Sequence, residues 1–211
     1  TILSDDKMEG RETGTKGEKM ALKHIHKRME SFGLETSLQK FTFNGNVKIK
    51  FNKELLDLGL YPTQYSSDGM VEDAKIIDVE FGIDAPELNY SNYTDLNVSG
   101  KIVVINTSSP DGIHPHSKYL NFHDLKLRAE IAKNKGAVAV IYYSDNQYAE
   151  KAESKFKNIN SAGIPVLFWN GNRESFKEKI ISFSLKLIEK EITAHNLITK
   201  IDNKKKYTII V

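Results

Sequence analysis

The 211 residues include 30 Lys+Arg against 28 Asp+Glu, six His, one Trp and no Cys, and 39% are hydrophobic. This supports a folded core and excludes wholesale disorder, while a net charge of +2 gives no basic field for nucleic acid or an anionic membrane. Without Cys there is no disulfide frame, thiolate nucleophile or Cys-held zinc, and the longest apolar run, residues 137–143, is far short of the ~20 residues of a membrane span.

The chain opens on Thr1 without a signal-peptide pattern, so a leader removed or left out is expected. Residues 1–17 are polar and glycine-rich. Thr15 and Glu18 form a T-x-x-E capping box, from which a helix is expected to run to about Phe32. Met20, Ala21, His24, Ile25, Met29 and Phe32 recur at three- and four-residue spacing, one apolar stripe, and Gly33 with Leu34 fits a Schellman ending. Residues 41–51 read as a hairpin around a three-residue loop, Asn44-Gly45-Asn46, which would pair Phe43 with Val47 and Phe41 with Ile49 on one face.

From about Asp73 the texture turns to strands and then to alternating strand and helix. Strands are expected at 75–79, 101–105 and 137–143, with a helix at 125–135 closed by Gly136. Residues 163–168 read as a further strand, with Pro165 near its start. Asn172 is placed to cap a helix to about Ser182, with Phe176, Ile180 and Phe183 inward. Residues 194–201 and 207–211 read as a closing hairpin. No Pro/Ser-rich linker separates two domains, so a second module is expected as an insertion.

The chemistry is sparse. His114, His116 and His123 form the one tight histidine group, with Asp111 and Asp124 near in sequence. As a metal site it would be unusual, and a solvated loop is the expectation. There is no G-x-S-x-G elbow and no S-x-x-K. Gly10, Gly14 and Gly17 match no phosphate-loop spacing, and no strand precedes them. Four sequons begin at Asn89, Asn92, Asn97 and Asn106; the Lys- and Asn-rich composition suits an unglycosylated bacterial loop better than a sugar-coated face. No catalytic, cofactor-binding or metal residue follows from the residues alone.

Residues 3–17, L-S-D-D-K-M-E-G-R-E-T-G-T-K-G, resemble the opening of the di-zinc aminopeptidases of metallopeptidase family 28, through Gly10, Arg11, Gly14 and Gly17. Asp78–Ile83 with the run ending Ser99-Gly100-Lys101-Ile102-Val103-Val104 resembles part of the protease-associated (PA) domain that many of these enzymes carry as an insert. So does the A-x-x-A-x-x-x-G-A-x-A-V-I unit at 129–141, with Gly136 and Ala137, and the Ile164-Pro165-Val166 strand. Thr193-Ala194-His195-Asn196 is similar to the family's return to the peptidase fold.

The resemblance implies an α/β (α+β) chain: a PA-type β-barrel or sandwich with flanking helices, inserted into an α/β peptidase domain. Residues 1–38 would be the peptidase's N-terminal helix segment, 39–192 the inserted PA domain, and 193–211 the peptidase's first hairpin. It implies two zinc ions in the intact enzyme, peptide or protein substrates, and the remainder of the peptidase as partner. It also implies a secreted, periplasmic or cell-surface bacterial location. The family's A-H-x-D-H ligands would lie beyond Val211, so none is carried over, and the chain alone is expected to be inactive. A stand-alone PA interaction module is the alternative, and a small enzyme built on the three histidines a more distant one.

Overall fold

A computed structural model describes residues 2–145, 156, 158–170 and 180–200. The backbone divides into two compact units, residues 1–45 with 191–211 and residues 46–190.

In the first unit, residues 2–11 are not a plain loop: they form two 3-10 turns, Ile2–Ser4 and Asp6–Arg11, before α1 (Lys16–Glu30). Thr15 caps α1 by accepting the Glu18 amide at 3.4 Å. Glu18 reaches past Thr15, one carboxylate oxygen taking the Gly14 amide and the other the His195 amide at 3.1 Å. At the other end the Leu34 amide donates to Met29 O (3.1 Å) and the Gly33 amide to Glu30 O (2.8 Å), with Gly33 at φ +72°. That is the Schellman closure the sequence predicts. Ala21 is buried and Met20, Ile25 and Met29 are half-buried. Phe32, expected in the same stripe, is 61% exposed, with the Arg28 guanidinium 4.7 Å from its ring centroid.

The expected hairpin at 41–51 is instead one continuous strand, β1 (Thr36–Phe51), paired with β9 (Ile180–Thr199). Gly45 does not adopt the positive φ of a tight turn. Its missing side chain leaves room for the Ile192 side chain, which also packs on Gly14. The Asn-Gly signal here marks a close approach between chain segments, the other use of a strand glycine.

The largest sheet has the order β1-β9-β3-β6-β7-β8-β2, and its strands β3, β6, β7, β8 and β2 lie in the second unit. Its centre is parallel: β3 (Gly69–Asp78), β6 (Ile102–Asn106), β7 (Ala139–Tyr143) and β8 (Val166–Trp169). β2 (Leu60–Pro62) pairs antiparallel on β8, and β9 antiparallel on β3. Every residue of β6 and β7 is buried, and apart from the terminal Asn106 of β6 each run is apolar, as a strand covered on both faces requires. Ile102, Val104, Ala139 and Ile141 join one core cluster with Phe183 and Leu185; Val103, Ile105 and Val140 join the other, with Ala129 and Ala132 of α3 (Leu125–Asn134).

β3 begins earlier than expected because a bulge between Val71 and Ala74, with Asp73 at φ 44°, carries pairing back to Gly69. The helix expected to reach Ser182 is corrected: Ile180–Thr199 is strand, with Phe183, Leu185 and Leu187 buried at strict alternation. Residues 171–179, and the half of the closing hairpin at 207–211, lie outside the described residues. Among the described residues, a short helix α2 (Lys53–Asp57), a two-stranded ribbon of β4 (Asp84–Ala85) with β5 (Tyr90–Ser91), and 3-10 turns at Pro86–Leu88 and Leu120–His123 complete the elements. The fold is mixed α/β, with a large sheet and few helices. No helix among the described residues is long and apolar enough to cross a membrane.

Candidate functional site

In an open sheet of parallel strands, the crevice beyond the carboxyl ends is the usual place for ligand and partner contact. Residues 107–124 leave β6 there and lead to α3. Leu125, Arg128, Ala129 and Ala132 share one helical face, so the face that buries two alanines also buries Arg128, which has no exposed surface. Its guanidinium donates to carbonyls alone: Asn106 at 3.0 Å, Ser108 at 2.7 Å, Phe81 at 3.2 Å, Thr107 at 3.3 Å, and Phe122 through Nε. One side chain thus ties the residues after β3, the end of β6 and the approach to α3. Burial lowers the Arg128 pKa, with Tyr142, Tyr93 and Asp124 acting the other way. The planar five-donor fork suits this task, because several acceptors can be met in one plane.

Outside that cage, Asp111 organises the loop. Its Oδ1 accepts from Ser117 Oγ (2.7 Å) and Ser109 Oγ (3.1 Å), and its Oδ2 accepts the Lys118 amide (2.9 Å). Burial acts to raise its pKa, but these hydrogen bonds overcome it and hold the carboxyl at about 2.

The three histidines do not converge. His123 turns inward, its Nε2 3.2 Å from Ser117 Oγ and 3.4 Å from Ser109 Oγ. Its pKa is lowered chiefly by burial, then by the Arg128 charge and by His114, with Asp111 opposing. His114 is exposed and bonds Asp111 O through Nε2 at 3.0 Å, and His116 is exposed. Among the described residues no group of three His, Cys, Asp or Glu is arranged to hold a metal. Changing His114 and His116 together to Ala should therefore leave stability within about 0.5 kcal/mol, the range of ordinary surface changes. His123→Ala should cost about 1 kcal/mol for the lost hydrogen bonds. Thermal melts separate the two, and equal losses would show that the inward-facing imidazole is not special.

The motif glycines do structural work. Gly17 lies where α1 meets the preceding turn: a Cβ would run into Met8 O and stand 3.0 Å from the Arg11 amide nitrogen. Gly10 takes φ +70° and Arg11 φ +58° in that turn. The Gly100 amide donates to Gly136 O at 2.9 Å, and the Lys101 ammonium donates to Asn97 O. Gly136, at φ +92°, and the buried Ala137 form a second Schellman closure, Gly136 N to Lys133 O (2.8 Å) and Ala137 N to Ala132 O (3.0 Å). Pro165 is buried and gives its carbonyl to the Val140 amide at 3.0 Å. The exposed Asn196 donates to Gln39 Oε1 at 3.3 Å. Of the four sequons, Asn89 and Asn97 are exposed. Asn106 is buried, and the Asn92 amide is bonded to Glu80, Tyr90 and the Ile83 amide.

Sequence reasoning missed Arg128, Ser109 and Ser117. The available signal for Arg128 is its place on the Leu125/Ala129/Ala132 face. The serines carry none, because their partners are set by loop geometry.

A parallel sheet with a helix on one face, a glycine-closed helix–strand unit and a loop platform at the strand ends defines a module of mixed α/β class. The profile of the PA domain matches residues 65–173, just over half the sequence, and the chain belongs to the PA-domain family. No curated protein matches the sequence. Among solved structures, BSAP, a zinc aminopeptidase from Bacillus subtilis, is similar in fold over 92% of this chain and 43% of its own, at 20% identity and a TM-score of 0.52. An aminopeptidase from Aneurinibacillus sp. strain AM-1 matches at 19% identity and a TM-score of 0.46, covering 93% of this chain and 46% of its own. A peptidase M28 precursor from Shewanella amazonensis SB2B matches at 18% identity and 0.41, covering 88% and 46%. The chain spans less than half the length of each of these structures.

Proposed function

We propose that this chain is part of a zinc-dependent aminopeptidase of metallopeptidase family 28, secreted or at the cell surface. Residues 39–192 are its inserted PA domain, and 1–38 and 193–211 are pieces of the peptidase domain on either side. The observation that carries this reading is the extent of the fold likeness. The PA-domain match covers residues 65–173, whereas the likeness to the Bacillus subtilis enzyme covers 92% of the chain and so takes in its flanks. The glycine-rich opening supports it, since Gly14 and Gly17 serve packing in the unit of residues 1–45 with 191–211.

Zinc belongs to the parent enzyme in this reading. The described residues offer no donor set that fits it: His123 is engaged by two serines, His114 by the Asp111 carbonyl, and His116 is exposed. No step through the metal follows from this chain. Its task is to cover the cleft, limit access to peptide N-termini and hold partner or substrate segments on the loop platform.

The test compares residues 1–211 with the longer product of the same reading frame. The short chain should neither hydrolyse aminoacyl-nitroanilides nor bind two zinc ions in calorimetry, and the longer product should do both. Two-metal binding at micromolar affinity or better by residues 1–211 would sink the assignment. A reading frame that stops at Val211 would favour the stand-alone interaction module.

A further inference from the structure

The loop of residues 107–124 contains a titratable group in an unusual setting. The Ser117 hydroxyl donates to Asp111 Oδ1, so its oxygen is left to accept, from the Tyr119 amide at 3.0 Å and from His123 Nε2 at 3.2 Å. This network selects the neutral tautomer of His123 with hydrogen on Nε2. A second proton must go on Nδ1, for which no acceptor is bonded among the described residues. The charged groups facing the imidazole are Asp111 and His114 from the loop and Arg128 from α3. Asp124, next in the chain, is turned to the Lys126 amide at 2.8 Å. Asp111 accepts from Ser117 Oγ and the Lys118 amide and shares the Ser109 hydroxyl with Gly112 O, and the hydrogen bonds of the buried Arg128 all go to neutral carbonyls. The ionised Asp111 attracts a new cation there, but burial of the imidazole and repulsion by Arg128 outweigh that attraction.

We infer that this loop is a proton-operated clasp: neutral His123 holds the Asp111–Ser117 strap closed against the Arg128 cage, and protonation of His123 releases it. What is released is the outer stretch carrying Ile113, His114, His116 and Leu120, all exposed, in the segment that follows β6. Asp111 is not the trigger, because its carboxyl stays ionised throughout the range in which imidazoles titrate. The direction follows from linkage. A histidine that resists protonation in the closed state contributes stability fully above its unfolded value of about 6.5, and loses it as the pH falls below that. The inference does not depend on the peptidase assignment, since every group involved lies in residues 79–128.

The experiment is amide hydrogen exchange on residues 1–211 at about pH 7.5 and about pH 5, corrected for the intrinsic exchange rate, together with an NMR titration of the imidazoles. The Gly112, Ser117, Lys118 and Tyr119 amides, all bonded within the loop, report on the strap. Val103 and Val140, in buried central strands, serve as controls. Expected is a selective loss of protection in the loop at the lower pH, about tenfold for each pH unit by which His123 titrates below an exposed histidine. His123→Gln, which keeps an N–H donor and never charges, should hold loop protection level across both conditions. The inference is overturned if loop protection is unchanged by pH, if His123→Gln shows the same acid loss, or if His123 titrates at or above the ordinary imidazole value. The titration decides that last point without any variant.

Discussion

Replacing Arg128 with methionine should destabilise the unit of residues 46–190 by about 4 kcal/mol, although a buried charge is exchanged for a well-shaped apolar side chain. The reason lies in the partners left behind. The carbonyls of Asn106, Thr107, Ser108, Phe81 and Phe122 lose their donor together. Asn106 is buried and the other four are partly buried; a buried acceptor left unpaired costs ~1–3 kcal/mol, partly buried ones less, and neighbours in one network do not add fully. For a unit of this size the loss corresponds to a fall in Tm of roughly 10 °C. Arg128→Lys should recover only part, because an ammonium is a compact three-donor charge that cannot span five carbonyls. Calorimetric melts of the two variants give the check. A methionine variant within about 1 kcal/mol of the parent would mean that the carbonyls find water, and that the cage is not what holds the strand ends.

Gly17→Ala should lower stability, the reverse of the usual sign. Glycine to alanine inside a helix ordinarily stabilises by about 1 kcal/mol through helix propensity. At position 17 the added methyl group would meet backbone: Met8 O, the Arg11 amide nitrogen at 3.0 Å and Arg11 Cα at 3.2 Å. Backbone in a tight turn yields less easily than the end of a side chain, so the net effect should be a loss of about 2 kcal/mol, in the range of overpacked sites. Gly33→Ala is the control. There φ is +72° but nothing stands within 4 Å, so only conformational strain of about 1 kcal/mol is added. Urea midpoints rank the two, and a Gly17→Ala protein as stable as its parent would show that α1 does not pack on the Asp6–Arg11 turn as described.

Much of this architecture is legible in sequence because its causes are local. The Thr15 cap and the two glycine closures, at Gly33–Leu34 and Gly136–Ala137, each join residues three to five apart. They follow from residue type and spacing almost regardless of what surrounds them. The central strands are legible for a different reason. A parallel strand covered on both faces must be apolar along its covered length, and residues 102–105 and 139–143 satisfy that on sight.

The misreadings share one cause as well. Asn44-Gly45-Asn46 has the composition of a turn, and Ile180 with Phe183 has one interval of helical spacing. In both places a partner distant in sequence overrides local preference: Ile192 fills the space beside Gly45, and the pairing of β9 on β3 sets the alternation that buries Phe183 and Leu185. Phe32 fits the stripe by spacing, yet it lies past the last turn of α1, where the chain has already left the helical path.

The candidate site belongs almost wholly to the second category. Sequence reasoning reaches the histidines of residues 107–124 but not their roles, since nothing in the order of residues tells an inward imidazole from two outward ones. By itself the sequence determined the helix caps, the central strands and the family resemblance, because these depend on spacing and residue type along the chain. Only the tertiary structure decided that Arg128 meets carbonyls 47, 22, 21, 20 and 6 residues away, and that Asp111, Ser117 and His123 close one loop. Those bonds exist because the buried backbone at the strand ends must be satisfied by whatever donor the fold brings there.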